Sequence, residues 1–171
     1  RDIIAYLRNT QEDDGHWPQN MWLAGSAFWT GVQLDQTAQP ILLADLMLRE
    51  GAVRPVEQKR FWPMVLKAAQ FLAQYGPATE LDRWEEKGGY NAHALATVIA
   101  ALLAAAEWAE TMGESSLATG LRELADSWDE RLEGWMYVLA PRWPQASAWM
   151  GTTLESSRRS GCALLRVATP R

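Results

Sequence analysis

The stretch AHALATVIAALLAAAEWAETMG, residues 92 to 113, decides the fold class. It has helical rather than alternating periodicity. Asn91 stands in front of it as an N-cap whose short side chain can accept from a first-turn N–H. Gly113 ends it. The apolar core of the run, ALATVIAALLAAA, is rich in alanine and falls short of the ~18 consecutive apolar residues of a membrane helix.

Working outward, the same period recurs on both sides. PVEQKRFWPMVLKAAQFLAQYG, residues 55 to 76, opens at Pro55 and is capped at Gly76, and Pro77 forbids continuation. Residues 34 to 50 form an earlier helix, with Pro40 near its start or kinking it. Ile3, Ile4 and Leu7 mark a first helix that ends at NTQEDDG, and Arg1 falls inside it, so the N-terminus reads as cut. After Gly113, Ser115 or Ser116 caps a fifth helix through about Leu132. No period-2 strand is expected before residue 135. The fold class is therefore all-α.

The connections are of two kinds. Those at residues 51–55 and 111–116 are short; those at residues 9–32 and 77–91 are long and hold Trp17, Trp22, Trp29 and Trp84. Long links inside a compact helical domain are more often functional than idle. If the helices pair as hairpins, both long links lie at one end and build a single surface at the mouth of a helical barrel. There are ten tryptophans in 171 residues, far beyond ordinary usage. Trp62, Trp108 and Trp128 lie on helical segments and read as core; the link tryptophans read either as wall-plugging residues or as rings that stack on sugar faces.

The second long link carries LDRWEEKGGYN, residues 81–91. Two readings of Glu85 and Glu86 stand. They are a solvated charge pair, helped by Arg83 and Lys87, or an acid site in which mutual repulsion and the apolar cover of Trp84 keep one carboxyl protonated. A protonated carboxyl near neutral pH is what cleaving a glycosidic bond requires. In the first link, DDGHWPQNMWLAGSAFWTGVQLD, residues 13–35, the acidic start lacks the later ligands of an EF-hand loop, and His16 reads as a structural hydrogen-bonder.

A net charge of −5 with scattered basic residues argues against nucleic acid. One cysteine, Cys162, and two distant histidines offer neither a disulfide nor metal-ligand spacing, so no metal or other cofactor is expected. No membrane partner is expected either. Nothing in the residues separates secretion from cytoplasmic residence.

Four segments resemble, in order and spacing, the bacterial glucoamylases of glycoside hydrolase family 15: residues 6–46, 57–72, 76–106 and 125–138. The resemblance covers about residues 1–138. It implies a twelve-helix (α/α) six-hairpin barrel, of which about five helices are present here. It also implies release of glucose from the non-reducing ends of α-1,4-glucans with inversion. Residue by residue, the family's W-E-E falls on Trp84, Glu85 and Glu86. Glu85 would be the general acid, Glu86 would bind sugar hydroxyls and Trp84 would line the first subsites. Trp29 would be a subsite wall, supported by Gln33 and Asp35. The implied partner is an α-glucan or maltooligosaccharide. The chain departs from the family at Ala24, where WLDG is usual, which puts that loop's polar anchoring in doubt. The water-activating second carboxylate and the arginine-aspartate sugar clamp have no counterpart in these residues, so the chain alone is expected to be inactive. Two alternatives remain open: a glucodextranase- or trehalase-like specificity, and a non-catalytic carbohydrate-binding helical protein.

Residues 1–139 carry 11 basic and 20 acidic side chains, whereas residues 140–171 carry 5 and 1. Helical periodicity and family resemblance stop at the same place. Codons permitted for residues 140–158, read two bases later, encode TALAASVGVDGYYVRIVA, which resembles the family's next segment. The sequence is therefore expected to comprise a catalytic-domain fragment, 1–139, and a frameshifted, non-native tail, 140–171, without a packed structure.

Overall fold

The computed structural model describes residues 2–29, 31–81 and 88–137. They belong to one compact unit, Arg1–Tyr137. The tail reading falls outside the described residues. Among the described residues five helices run in chain order: α1 (Asp2–Thr10), α2 (Leu34–Arg49), α3 (Gln58–Tyr75, preceded by a 3-10 turn at Pro55–Glu57), α4 (Ala92–Thr111) and α5 (Ser115–Met136). The all-α expectation holds, with one correction. The first long link contains a small antiparallel hairpin, β1 (Asn20–Met21) with β2 (Ala27–Trp29), which pairs Asn20 with Trp29 and Met21 with Ala27. A two-rung ladder is too short to show a period in sequence, which is why no strand was expected there.

Helix α4 is the centre of the layer and packs against α5, α2 and α3. Leu95, Val98, Leu102 and Ala105 form one buried seam at three- and four-residue spacing, and Ala101, Ala106 and Ala109 are fully buried around it. Alanine on so much of the circumference lets neighbouring helix axes approach closely. By length and composition α4 is long and apolar enough to cross a membrane, with a mean hydropathy of 1.6, contrary to the expectation from its shorter apolar run. Its position explains the composition: α5, α2 and α3 all pack against it.

Helix boundaries follow local chemistry in three places. Asn91 is the N-cap of α4, its Oδ1 accepting from Ala94 N at 3.0 Å. Gly76 ends α3 in an extended conformation, and a Cβ there would stand 2.5 Å from the Trp128 ring, so glycine is required by the approach of α5. Gly113 turns the chain from α4 to α5 at φ +83°. The expected cap at Ser115 or Ser116 is corrected. Both serines lie inside α5, whose N-cap is Glu114 without a side-chain cap bond, and the helix continues to Met136 rather than Leu132. Glu114 is engaged elsewhere, accepting from Trp62 Nε1 at 3.0 Å.

Connectivity places the start of α2, the end of α3 and the start of α4 at one end of the layer, where the two long links are. The other end carries the short links. There Trp62–Glu114 and Gln58 Nε2 to Thr111 Oγ1, at 2.8 Å, tie the beginning of α3 to the α4–α5 turn.

Candidate active site

The first long link lies directly on α3. Gly15, at φ +107°, has no room for a Cβ, which would overlap the carbonyl of Lys67. Gln11 Nε2 donates to Gly15 O at 2.8 Å and to Met64 O at 3.0 Å, joining link and helix. His16 holds Asp14 through Nδ1···Oδ1 at 2.6 Å and stacks on Phe71, the structural role expected of it. Partial burial of Asp14 opposes its charge, but hydrogen bonding and the charge of His16 outweigh it and hold the carboxyl below its ordinary range.

The tryptophans divide cleanly. Trp62, Trp108 and Trp128 are core residues, as expected. Trp17 joins them, buried with its Nε1 donating to Leu7 O at 2.9 Å, so it plugs the wall. Trp22 and Trp29 stand out at 59% and 47% exposure, with Trp22 edge-on to Phe28 at 5.1 Å. Ala24 does not leave the hairpin tip loose. Trp22 N donates to Ser26 O and Gly25 N to Trp22 O, at 2.9 and 2.8 Å, so backbone bonds close it.

Trp29 meets the second long link over Gly31. A Cβ at Gly31 would overlap the Trp29 indole and lie 2.8 Å from Leu81 Cδ1. Bare backbone at Gly31 is thus what lets these two side chains converge. Glu85, Glu86 and Trp84 lie outside the described residues, but both ends of their segment are placed. Thr79 and Gly89 pair through Thr79 N to Gly89 O at 3.0 Å and Gly89 N to Thr79 O at 2.8 Å. Tyr90 then stacks on Trp135 of α5, with 4.7 Å between centroids and a 9° interplanar angle.

Beneath this junction, Gln33 and Asp35 are buried at 5% and 4% exposure, which suits residues that support a loop. Asp35 Oδ2 faces His93 Nε2 of α4 at 3.5 Å, and its Oδ1 has no partner among the described residues. A cavity of about 170 Å³ between the links is lined by Asp14, Val32, Leu34, Phe71, Tyr75 and Glu80. A larger groove of about 400 Å³, lined by Leu7, Trp17, Met21, Pro40 and Leu43, includes no residue of the second link.

The convergence of an aromatic link and an acid-bearing link at one end of a helical layer invites comparison with known proteins. The profile of "Glycosyl hydrolases family 15" matches residues 12–164, most of the chain. The chain belongs to glycosyl hydrolase family 15. That match runs past residue 139, where charge and periodicity change. Among curated relatives of this family-15 chain, a glucoamylase of Clostridium sp. (strain G0005) is 35% identical over 139 residues, 79% of this chain and 18% of the relative. An uncharacterized glycosyl hydrolase of Methanocaldococcus jannaschii is 26% identical over 135 residues, 77% of this chain and 20% of the relative. The crystal structure of a bacterial glucoamylase complexed with acarbose matches with a TM-score of 0.67 and 35% identity, covering 76% of this chain and 18% of that one. Its fold is an α/α barrel, and the five helices here are part of such a barrel. The chain spans about a fifth of the length of the curated relatives it matches.

Thr79, Gly31 and Tyr90 were not singled out from sequence. A glycine after a tryptophan could have drawn notice to Gly31; nothing local marks a threonine in a loop as buried.

Proposed function

We propose that this chain is the acid-bearing part of a glucoamylase-type hydrolase that releases glucose from the non-reducing ends of α-1,4-glucans with inversion. The observation that carries the reading is the junction over Gly31, where Trp29 and Leu81, the residue leading into the W-E-E segment, are brought together. In this reading Glu85 protonates the departing glycosidic oxygen, while Trp29 and Trp84 offer ring faces to the sugar and Glu86 accepts from its hydroxyls. Inversion also needs a carboxylate roughly 6.5–9.5 Å from the acid to activate water. We assign that base to residues outside this chain, so these residues alone supply the acid half of the reaction.

The purified 171-residue chain is accordingly expected to release no glucose from maltooligosaccharides above buffer. Robust turnover that disappears in Glu85→Gln would show that the chain holds its own base. In a full-length enzyme carrying this segment, maltose should be cleaved faster than isomaltose or trehalose; the opposite order would select a different linkage.

The same reading takes residues 140–171 as translated out of frame. Its support is the charge reversal at residue 139 and the family-like string in the shifted frame. The profile match continuing to residue 164 weighs against it. The gene's nucleotide sequence decides: codons that cannot yield VGVDGYYVRI in another frame end the idea.

A further inference from the structure

We propose that Thr79 is a positioning residue that clasps the two described ends of the acid-bearing link, Leu81 and Gly89, to the start of α2. The inference rests on the assignment of Glu85 as the acid only for its catalytic consequence. The clasp itself is visible in described residues.

Thr79 is 3% exposed, although it sits in the middle of a link. Its Oγ1 donates to Leu81 O at 2.7 Å and accepts from Leu34 N at 3.3 Å. Leu34 opens α2, and the N-cap residue Gln33 makes no side-chain cap bond, so a first-turn N–H of the helix is satisfied by a hydroxyl 45 residues away. The backbone of Thr79 at the same time makes both hydrogen bonds to Gly89. One residue therefore holds the entry of the segment at Leu81, its exit at Gly89, and the helix that follows Trp29.

Glycine completes the closure. A Cβ on Gly88 would overlap Glu80 O and lie 3.1 Å from Thr79 O, and Gly89 turns at φ +120°. Residues 79–80 and 88–89 thus approach more closely than any larger residue at 88 would allow. Acid catalysis requires placement within hydrogen-bond reach of the departing oxygen, which is where a fixed position for the link's two ends bears on the reaction.

Valine at 79 keeps the shape but leaves Leu34 N–H and Leu81 C=O without the hydroxyl; serine restores it. Hydrogen–deuterium exchange on the 171-residue chain is the direct test. In Thr79→Val, the amide of Leu34 should exchange about tenfold faster, the size expected for one lost buried hydrogen bond. The amides of α5 should be unchanged, and Thr79→Ser should match the wild type. Unchanged exchange at Leu34 in Thr79→Val overturns the clasp. So does a Thr79→Ser variant that exchanges as fast as Thr79→Val.

The catalytic consequence is read in a full-length family-15 enzyme carrying this segment. Thr79→Val should lower kcat about tenfold or more with KM little changed, and Thr79→Ser should recover it. A normal kcat in Thr79→Val, in an enzyme that Glu85→Gln inactivates, overturns the positioning role. An enzyme still active as Glu85→Gln instead sinks the acid assignment, and the exchange result then stands for the clasp alone.

Discussion

The two ends of the helical layer are made by the same helices and solve opposite problems. At the short-link end, Trp62 and Gln58 of α3 reach the α4–α5 turn with directed hydrogen bonds, and the connections have little to do beyond turning the chain. At the long-link end the backbone travels far, yet its described residues are tightly held. Glycines at 15, 31 and 88 press it against neighbouring backbone or rings, and Thr79 ties two distant links together. The first end is stable because little chain must be ordered. The second presents Trp22 and Trp29 to solvent on links much longer than a chain reversal needs.

Substitutions can break this contrast. The largest effect is expected at the long-link end on activity alone: Glu85→Gln in a full-length enzyme should lower kcat by about 10²–10⁴-fold while leaving thermal stability near wild type. Trp108→Ala acts in the opposite way. Its ring is buried in the last turn of α4, and its loss should cost about 3–5 kcal/mol in denaturant unfolding of the compact unit. Asn91→Ala removes one cap bond at the start of α4 and should cost about 1 kcal/mol by the same measurement.

Trp29→Ala sharpens the comparison between kinds of tryptophan. Half exposed, Trp29 should change stability by less than about 0.5 kcal/mol. Its loss should nevertheless raise KM for maltooligosaccharides in the full-length enzyme, and a stability loss like that of Trp108→Ala would refute the division. The smallest effect belongs to Asp14. Because its folded-state pKa is lowered, its hydrogen bonding with His16 stabilises the fold at pH values above the ordinary carboxylate range. That contribution is lost as pH falls through the lowered folded value. The melting difference between wild type and Asp14→Asn should therefore be present at pH 5–7 and shrink below about pH 4. Since Asp14 is about half exposed, the difference should be slight.

Much of this was legible in the residues. Asn91 and Gly113 bracket α4 because capping and turning are local requirements, met by the side chain and backbone of one residue. The core roles of Trp62, Trp108 and Trp128 follow from helical period. The order and spacing of the motifs carried the family. Other features were hidden: Trp17 and Trp22 are a few residues apart in one link, yet one is plugged into the wall and the other faces solvent. Ser115 resembles a cap, but the helix begins at it because Glu114 is drawn to Trp62.

What the sequence determined by itself is therefore whatever depends on neighbours along the chain: helical period, caps, chain reversals and the W-E-E motif. Only the tertiary structure decided which link residues meet. Thr79 caps a helix that begins 45 residues earlier, and Gly31 opens the space in which Trp29 meets Leu81. Such contacts depend on where packed helices deliver the ends of their links, and no local pattern of residues encodes that distance.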